Sequence, residues 1–135
     1  MRLTRLAALA TVAILAAPFA QAQPPKLYRV GYLGTDALVP TNPGWQGFLR
    51  ALREQGYAEG QNLSIEYRSA EGRNEAYPVL APELVQLRVD VIVAHGGPAV
   101  LAAKQATSTI PIVLFNVADP VGTGLVVSSP IPVAT

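Results

Sequence analysis

Apolar positions along the chain change period several times, and the changes mark out alternating strands and helices. The sharpest change falls in residues 89–107, where Val91-Ile92-Val93-Ala94 gives way to His95-Gly96-Gly97-Pro98 and then to an alanine-rich segment. An apolar run with only Asp90 at its entrance predicts a strand covered on both faces, as in a parallel sheet flanked by helices. Pro98 fits the first position of the following helix, where the amide proton it lacks would have had no partner. The two glycines before it allow a sharp turn and leave the first helical amides open, an arrangement that attracts anions. A Gly-Gly-Pro turn can equally do no more than reverse the chain, so its neighbours decide its meaning.

Residues 27–34 carry Val30, Tyr32 and Leu33 and stop at Gly34-Thr35, which reads as a first strand. The loop over residues 35–43 is longer than the two to six residues usual between strand and helix, and long loops at that end of a strand often carry function. Trp45, Phe48, Leu49 and Leu52 then recur at i, i+3, i+4 and i+7 with Arg50, Arg53 and Glu54 opposite, an amphipathic helix closed by Gly56. Trp45 reads as core, with stacking on a ligand as the alternative. Leu63, Ile65 and Tyr67 alternate with Ser64, Glu66 and Arg68, which predicts an edge strand. After the turn Glu71-Gly72-Arg73, apolar residues from Tyr77 to Leu87 have helical spacing; Pro82 either kinks this helix or delays its regular part to about Ala81. Residues 110–116 form a last strand, leading to Asp119-Pro120 and Gly122. The order βαβαβαβ gives the fold class α/β, one open, doubly wound parallel sheet with expected strand order 2-1-3-4.

Composition narrows the class. Of 135 residues, 50% are hydrophobic and 14% charged, a foldable balance. Arg2 and Arg5, an apolar stretch over residues 6–17 and Ala20-Gln21-Ala22 have the order of a secretory signal peptide, with cleavage expected before Gln23. The stretch is too short to span a bilayer, so residues 1–22 are expected to be removed, leaving 23–135 in the periplasm without stable membrane insertion. The absence of cysteine excludes a lipid anchor on that residue and any disulfide. Without Arg2 and Arg5, eight basic residues face nine acidic ones. Nucleic acid is therefore not an expected partner, since its binding needs clustered positive charge.

Neither G-x-G-x-x-G nor G-x-x-x-x-G-K-[ST] occurs. His95 is the single histidine and finds no recognisable zinc spacing, no cysteine and no serine in a nucleophile elbow, so no catalytic residue, metal or cofactor is assigned. An exported α/β enzyme using His95 as a base stays as the alternative, because His95 stands at a strand's carboxyl end. What the pattern supports better is a binding crevice at the point where the strand order reverses. There Gly34-Thr35-Asp36 would lie beside His95-Gly96-Gly97, with Asn116 and Asp119 one strand further on. Open amides would suit the carboxylate of a small zwitterion, and Asp119 or Asp36 its amine. Asp119-Pro120 is also an ordinary turn signal.

The stretches RVGYLG, GFLRALREQGYAEGQNLSIEYR, LVQLRVDVIVA and PAVLAAKQATSTIPIVLFNVADPVGTGLV resemble the ABC transporter substrate-binding proteins of the type I periplasmic-binding-protein fold, a group that includes aromatic-amino-acid binders. The resemblance runs over residues 28–127. It implies a small-molecule ligand, with amino acids among the candidate classes, a permease partner and no catalysis. It also implies that Thr35, Gly97 and Asp119 line one wall of a ligand cleft, with Gly96 and Asn116 adjoining. Members are about twice this length and have two lobes, so the resemblance implies an incomplete N-terminal lobe, which leaves a non-functional fragment as a further alternative. Two local departures are the tail SSPIPVAT and the His95-Gly96-Gly97 sequence, where similar proteins carry a small polar residue or alanine-threonine.

Overall fold

The computed structural model describes residues 26–36 and 39–125. The expected signal segment, its cleavage point and the SSPIPVAT tail lie outside the described residues. Four strands, β1 (Tyr28–Gly34), β2 (Leu63–Ser69), β3 (Val91–His95) and β4 (Ile112–Phe115), alternate with three helices, α1 (Pro43–Glu54), α2 (Tyr77–Gln86) and α3 (Gly97–Ala106). The strands pair in parallel in the order β2-β1-β3-β4, as expected, and β2 lies at the edge its alternation predicts. No described helix is long and apolar enough to cross a membrane.

The sheet is covered on both faces because its central strands are apolar on both. Leu33, Ile92 and Ala94 pack with Tyr77, Ala81 and Leu84 of α2 and with Ala99, Val100 and Ala103 of α3. Val30, Tyr32 and Val93 face the other way, onto Trp45, Phe48, Leu49 and Leu52 of α1. Gly31 is what lets α2 approach: a Cβ there would stand 3.1 Å from both methyls of Leu84.

Asn42 starts α1 by accepting from the amides of Gly44 at 2.9 Å and Trp45 at 3.1 Å, with Pro43 following it into the first turn. Gly56, at φ 93°, ends the helix, and Tyr57 N–H returns to the Leu52 carbonyl at 2.9 Å. A short 3-10 turn (Asn74–Ala76) leads into α2, which runs through Pro82 instead of beginning near Ala81. Pro82 withdraws one helical hydrogen bond, and the buried side chains of Tyr77, Ala81 and Leu84 hold the segment in place. In α3 the first position belongs to Gly97 and the second to Pro98, one residue earlier than expected, because Gly96 completes the turn and its carbonyl accepts from Val100 N–H at 3.1 Å.

Candidate functional site

The register brings the expected loops together. Leu33 lies opposite Ala94 and His95 opposite Phe115, so the ends of β1, β3 and β4 stand side by side at the carboxyl edge, where β1 and β3 are neighbours and their chains run off to opposite sides. Gly96 N–H donates to the Phe115 carbonyl at 3.1 Å, tying the start of α3 to the end of β4. Gly96 itself stands at φ 89°, ψ 158°, a conformation open essentially to glycine alone, and no side chain caps the helix behind it. The leading amides of α3 therefore face the carboxyl edge uncapped by any described side chain, with the positive end of the helix dipole behind them.

The five expected site residues meet different surroundings. Gly97 lines an open, largely apolar pocket of about 410 Å³ with Pro98, Leu101, Val117, Thr123 and Leu125, so α3 and the turn that follows β4 share a concavity. Asp119, at φ 40°, builds that turn: its Oδ1 accepts from Gly122 N–H at 2.9 Å and its carbonyl from the Thr123 hydroxyl at 2.8 Å. A Cβ on Gly122 would fall 2.0 Å from the Asp119 carboxylate, which is why glycine follows there. Thr35 turns toward the β2 side, its hydroxyl and carbonyl both accepting from Gly72 N–H at 3.2 Å. Asn116 is exposed, at φ 50°, and its Nδ2 lies 3.1 Å from His95 Nε2.

Behind Asn116 runs an aromatic, hydrogen-bonded layer. His95 Nδ1 lies 2.6 Å from the Tyr32 hydroxyl. The Tyr32 ring packs edge-on against Trp45 at 4.9 Å, and His95 against Phe115 at 5.2 Å. Trp45 Nε1 donates to the Tyr67 hydroxyl at 3.0 Å. Trp45 is fully buried, which makes it core and removes it as a stacking surface in this conformation. Burial, and after it the charge of Asp36, pushes the Tyr32 hydroxyl far above the ordinary tyrosine range, so it stays protonated. Gly34 makes room for this ring, since a Cβ there would come within 2.5 Å of the Tyr32 hydroxyl.

Sequence reasoning placed Tyr32 in the first strand and His95 at the carboxyl end of another, and missed that they meet. Strand spacing predicts which face Tyr32 shares with Val30; the pairing of its hydroxyl with an imidazole at the end of the neighbouring strand has no local signature. Among the described residues no group of three His, Cys, Asp or Glu side chains could hold a metal ion.

Comparison with known proteins bears on the family and the fold. Residues 36–134 match the family described as ABC transporter substrate binding protein. A tyrosine-binding protein of Clostridioides difficile is 37% identical over 83 residues, covering 62% of this chain and 24% of that protein. Two solved structures superpose with a TM-score of 0.67: a conserved domain protein of Vibrio cholerae, 35% identical, and a ligand-free, open substrate-binding protein with adhesive properties from Clostridium difficile, 28% identical. They are covered to 34% and 35% of their length, and this chain to 75% and 76%. A streptococcal ABC domain in complex with L-Trp shares the fold, with a TM-score of 0.65 at 24% identity over 75% of this chain and 34% of that one. The chain thus spans about a quarter to a third of the length of these relatives. By its family match over residues 36–134, with a sheet order that fits, the chain belongs to the ABC transporter substrate-binding proteins.

Proposed function

We propose that the chain supplies one wall of the ligand cleft of a periplasmic binding protein that hands a small zwitterionic solute, an amino acid, to an ABC permease without chemical change. In this reading residues 1–22 are a cleaved signal peptide and residues 23–135 belong to the N-terminal lobe. Thr35, Gly96, Gly97, Asn116 and Asp119 border the ligand.

The observation that carries the reading is the uncapped start of α3 at the reversal of strand order, with Gly96 in a glycine-only conformation. Its amides suit the carboxylate common to all amino acids. The names of two relatives, one a tyrosine-binding protein and one solved with L-Trp, favour an aromatic amino acid. Asp119 takes part through the shape of its turn, because its carboxylate already serves Gly122. The enzyme alternative has less support: both ring nitrogens of His95 already have partners, Tyr32 and Asn116.

A thermal-shift panel of amino acids and small carboxylic acids tests the reading. A ligand that binds only the folded chain raises the unfolding midpoint, by about 2.7 kcal/mol of stability at a hundredfold excess over its dissociation constant. L-Tyrosine or L-tryptophan is expected to raise it most. A panel in which no amino acid moves the midpoint would count against it.

A further inference from the structure

One polar chain is left unexplained by the fold. Three side chains from β1, β3 and the end of β4, namely Tyr32, His95 and Asn116, form a line from a fully enclosed hydroxyl to an exposed amide. Each link constrains the next. Asn116 presents Nδ2 to His95 Nε2, and an amide nitrogen can only donate, so in this arrangement Nε2 accepts; the amide turned over would instead put the imidazole proton on Nε2. A neutral imidazole that accepts at Nε2 carries its proton on Nδ1, and therefore donates to the Tyr32 oxygen 2.6 Å away. The remaining proton of the Tyr32 hydroxyl then points away from His95, and the exposed carboxylate of Asp36 is the charge that acts most on this hydroxyl. All three dipoles point the same way, and hydrogen bonds in such a series strengthen one another.

We infer that Tyr32 and His95 are positioning residues: they hold the Asn116 amide with its nitrogen turned inward and its carbonyl oxygen turned out, as a fixed acceptor at the mouth of the crevice. The backbone assists, since φ 50° at Asn116 is a conformation that asparagine tolerates better than most residues. Resting on the amino-acid reading above, this gives the crevice two ends of opposite preference. The start of α3 offers donors to a carboxylate, and Asn116 offers an acceptor to an ammonium group. The crevice then distinguishes an amino acid from the same acid without its amine, a distinction the helix start cannot make.

The sequence contains one histidine, so the imidazole ¹⁵N signals of the 135-residue chain belong to His95 without assignment. Recorded at pH 8 without ligand, they are expected to show the proton on Nδ1. Tyr32→Phe, which removes only the oxygen, should shift the tautomer balance toward Nε2 by about fivefold, the weight of one hydrogen bond. Asp36→Asn, on an exposed residue, should shift it the same way by less. A parent imidazole protonated on Nε2, or a balance unmoved by Tyr32→Phe, overturns the inference. In a second arm, L-tyrosine competes with 3-(4-hydroxyphenyl)propionate. Asn116→Gly keeps the backbone conformation and should narrow the preference for the amine by about five- to tenfold; an unchanged preference also overturns the inference. If neither compound binds the parent, the solute-binding reading fails while the tautomer result decides the positioning on its own.

Discussion

At Gly96 the backbone stands at φ 89°, ψ 158°, and this one residue lets β3 end, the chain turn and α3 begin within a single step. Any side chain there meets open space but a forbidden backbone, so Gly96→Ala is expected to cost about 1–3 kcal/mol, readable as a lower urea midpoint. Gly97 differs: its added Cβ would make ordinary contact with Leu125 at 3.8 Å, so substitution is tolerated. That the two glycines carry separate duties was not legible in the sequence, where the pair reads as one turn. Three tyrosines give the chain a pH signature. Burial raises the hydroxyls of Tyr32, Tyr67 and Tyr77, with Asp36 adding to the effect at Tyr32 and hydrogen bonds from Trp45 and Thr35 opposing it at Tyr67 and Tyr77. The folded chain thus keeps protons that the unfolded chain releases near pH 10. This stabilisation is whole below that pH and is lost as the pH rises above it. Urea midpoints should be level from pH 8 to 9 and fall by pH 11; a midpoint that holds at pH 11 would contradict the burial of these hydroxyls.

Among the elements, α1 shows best how local chemistry fixes a boundary. Asn42 closes two amides and Gly56 closes the far end, so the helix is set by its caps as well as by its apolar stripe. Asn42→Ala should lower stability by about 1 kcal/mol, measured by chemical unfolding, and should leave the stripe of Trp45, Phe48, Leu49 and Leu52 in place. The stripe and Gly56 were legible from spacing, whereas Asn42 was hidden in a polar loop with several equivalent residues. In α2 the sequence offered two outcomes for Pro82, and the choice rests on tertiary burial of Tyr77 ahead of it, which no local pattern reports. β3 was legible in type and blurred at its ends: Val89 is buried without being in the strand, and His95 is in the strand without being apolar. Polar links such as Arg68–Glu83, 2.8 Å apart between β2 and α2, likewise depend on how elements pack and left no trace in the pattern.

At the scale of the molecule, strand order was the most accessible property. The apolar run of β3 marked a strand covered on both faces, alternation in β2 put it outside, and the doubly wound βαβ pattern supplied the order itself. The crevice follows from that order, because reversal between β1 and β3 places two loop ends side by side. The polar chain behind it does not, since it joins side chains 63 and 21 residues apart. β4 is outermost among the described strands, and Val113 on it is 43% exposed, an apolar edge of the kind that other chains cover. The central claim is that the start of α3 holds the carboxylate of a small zwitterion, and the direct measurement is a ¹H–¹⁵N amide titration with L-tyrosine on the parent chain and on Gly97→Asp. The account predicts that Gly97 and Ala99 amides shift most in the parent. In Gly97→Asp the added carboxylate sits at the positive end of the helix, which favours folding by about 0.3–1 kcal/mol and repels the ligand, so stability rises while the shifts disappear. Shifts of equal size in the variant, or shifts in the parent that avoid the start of α3, would contradict it.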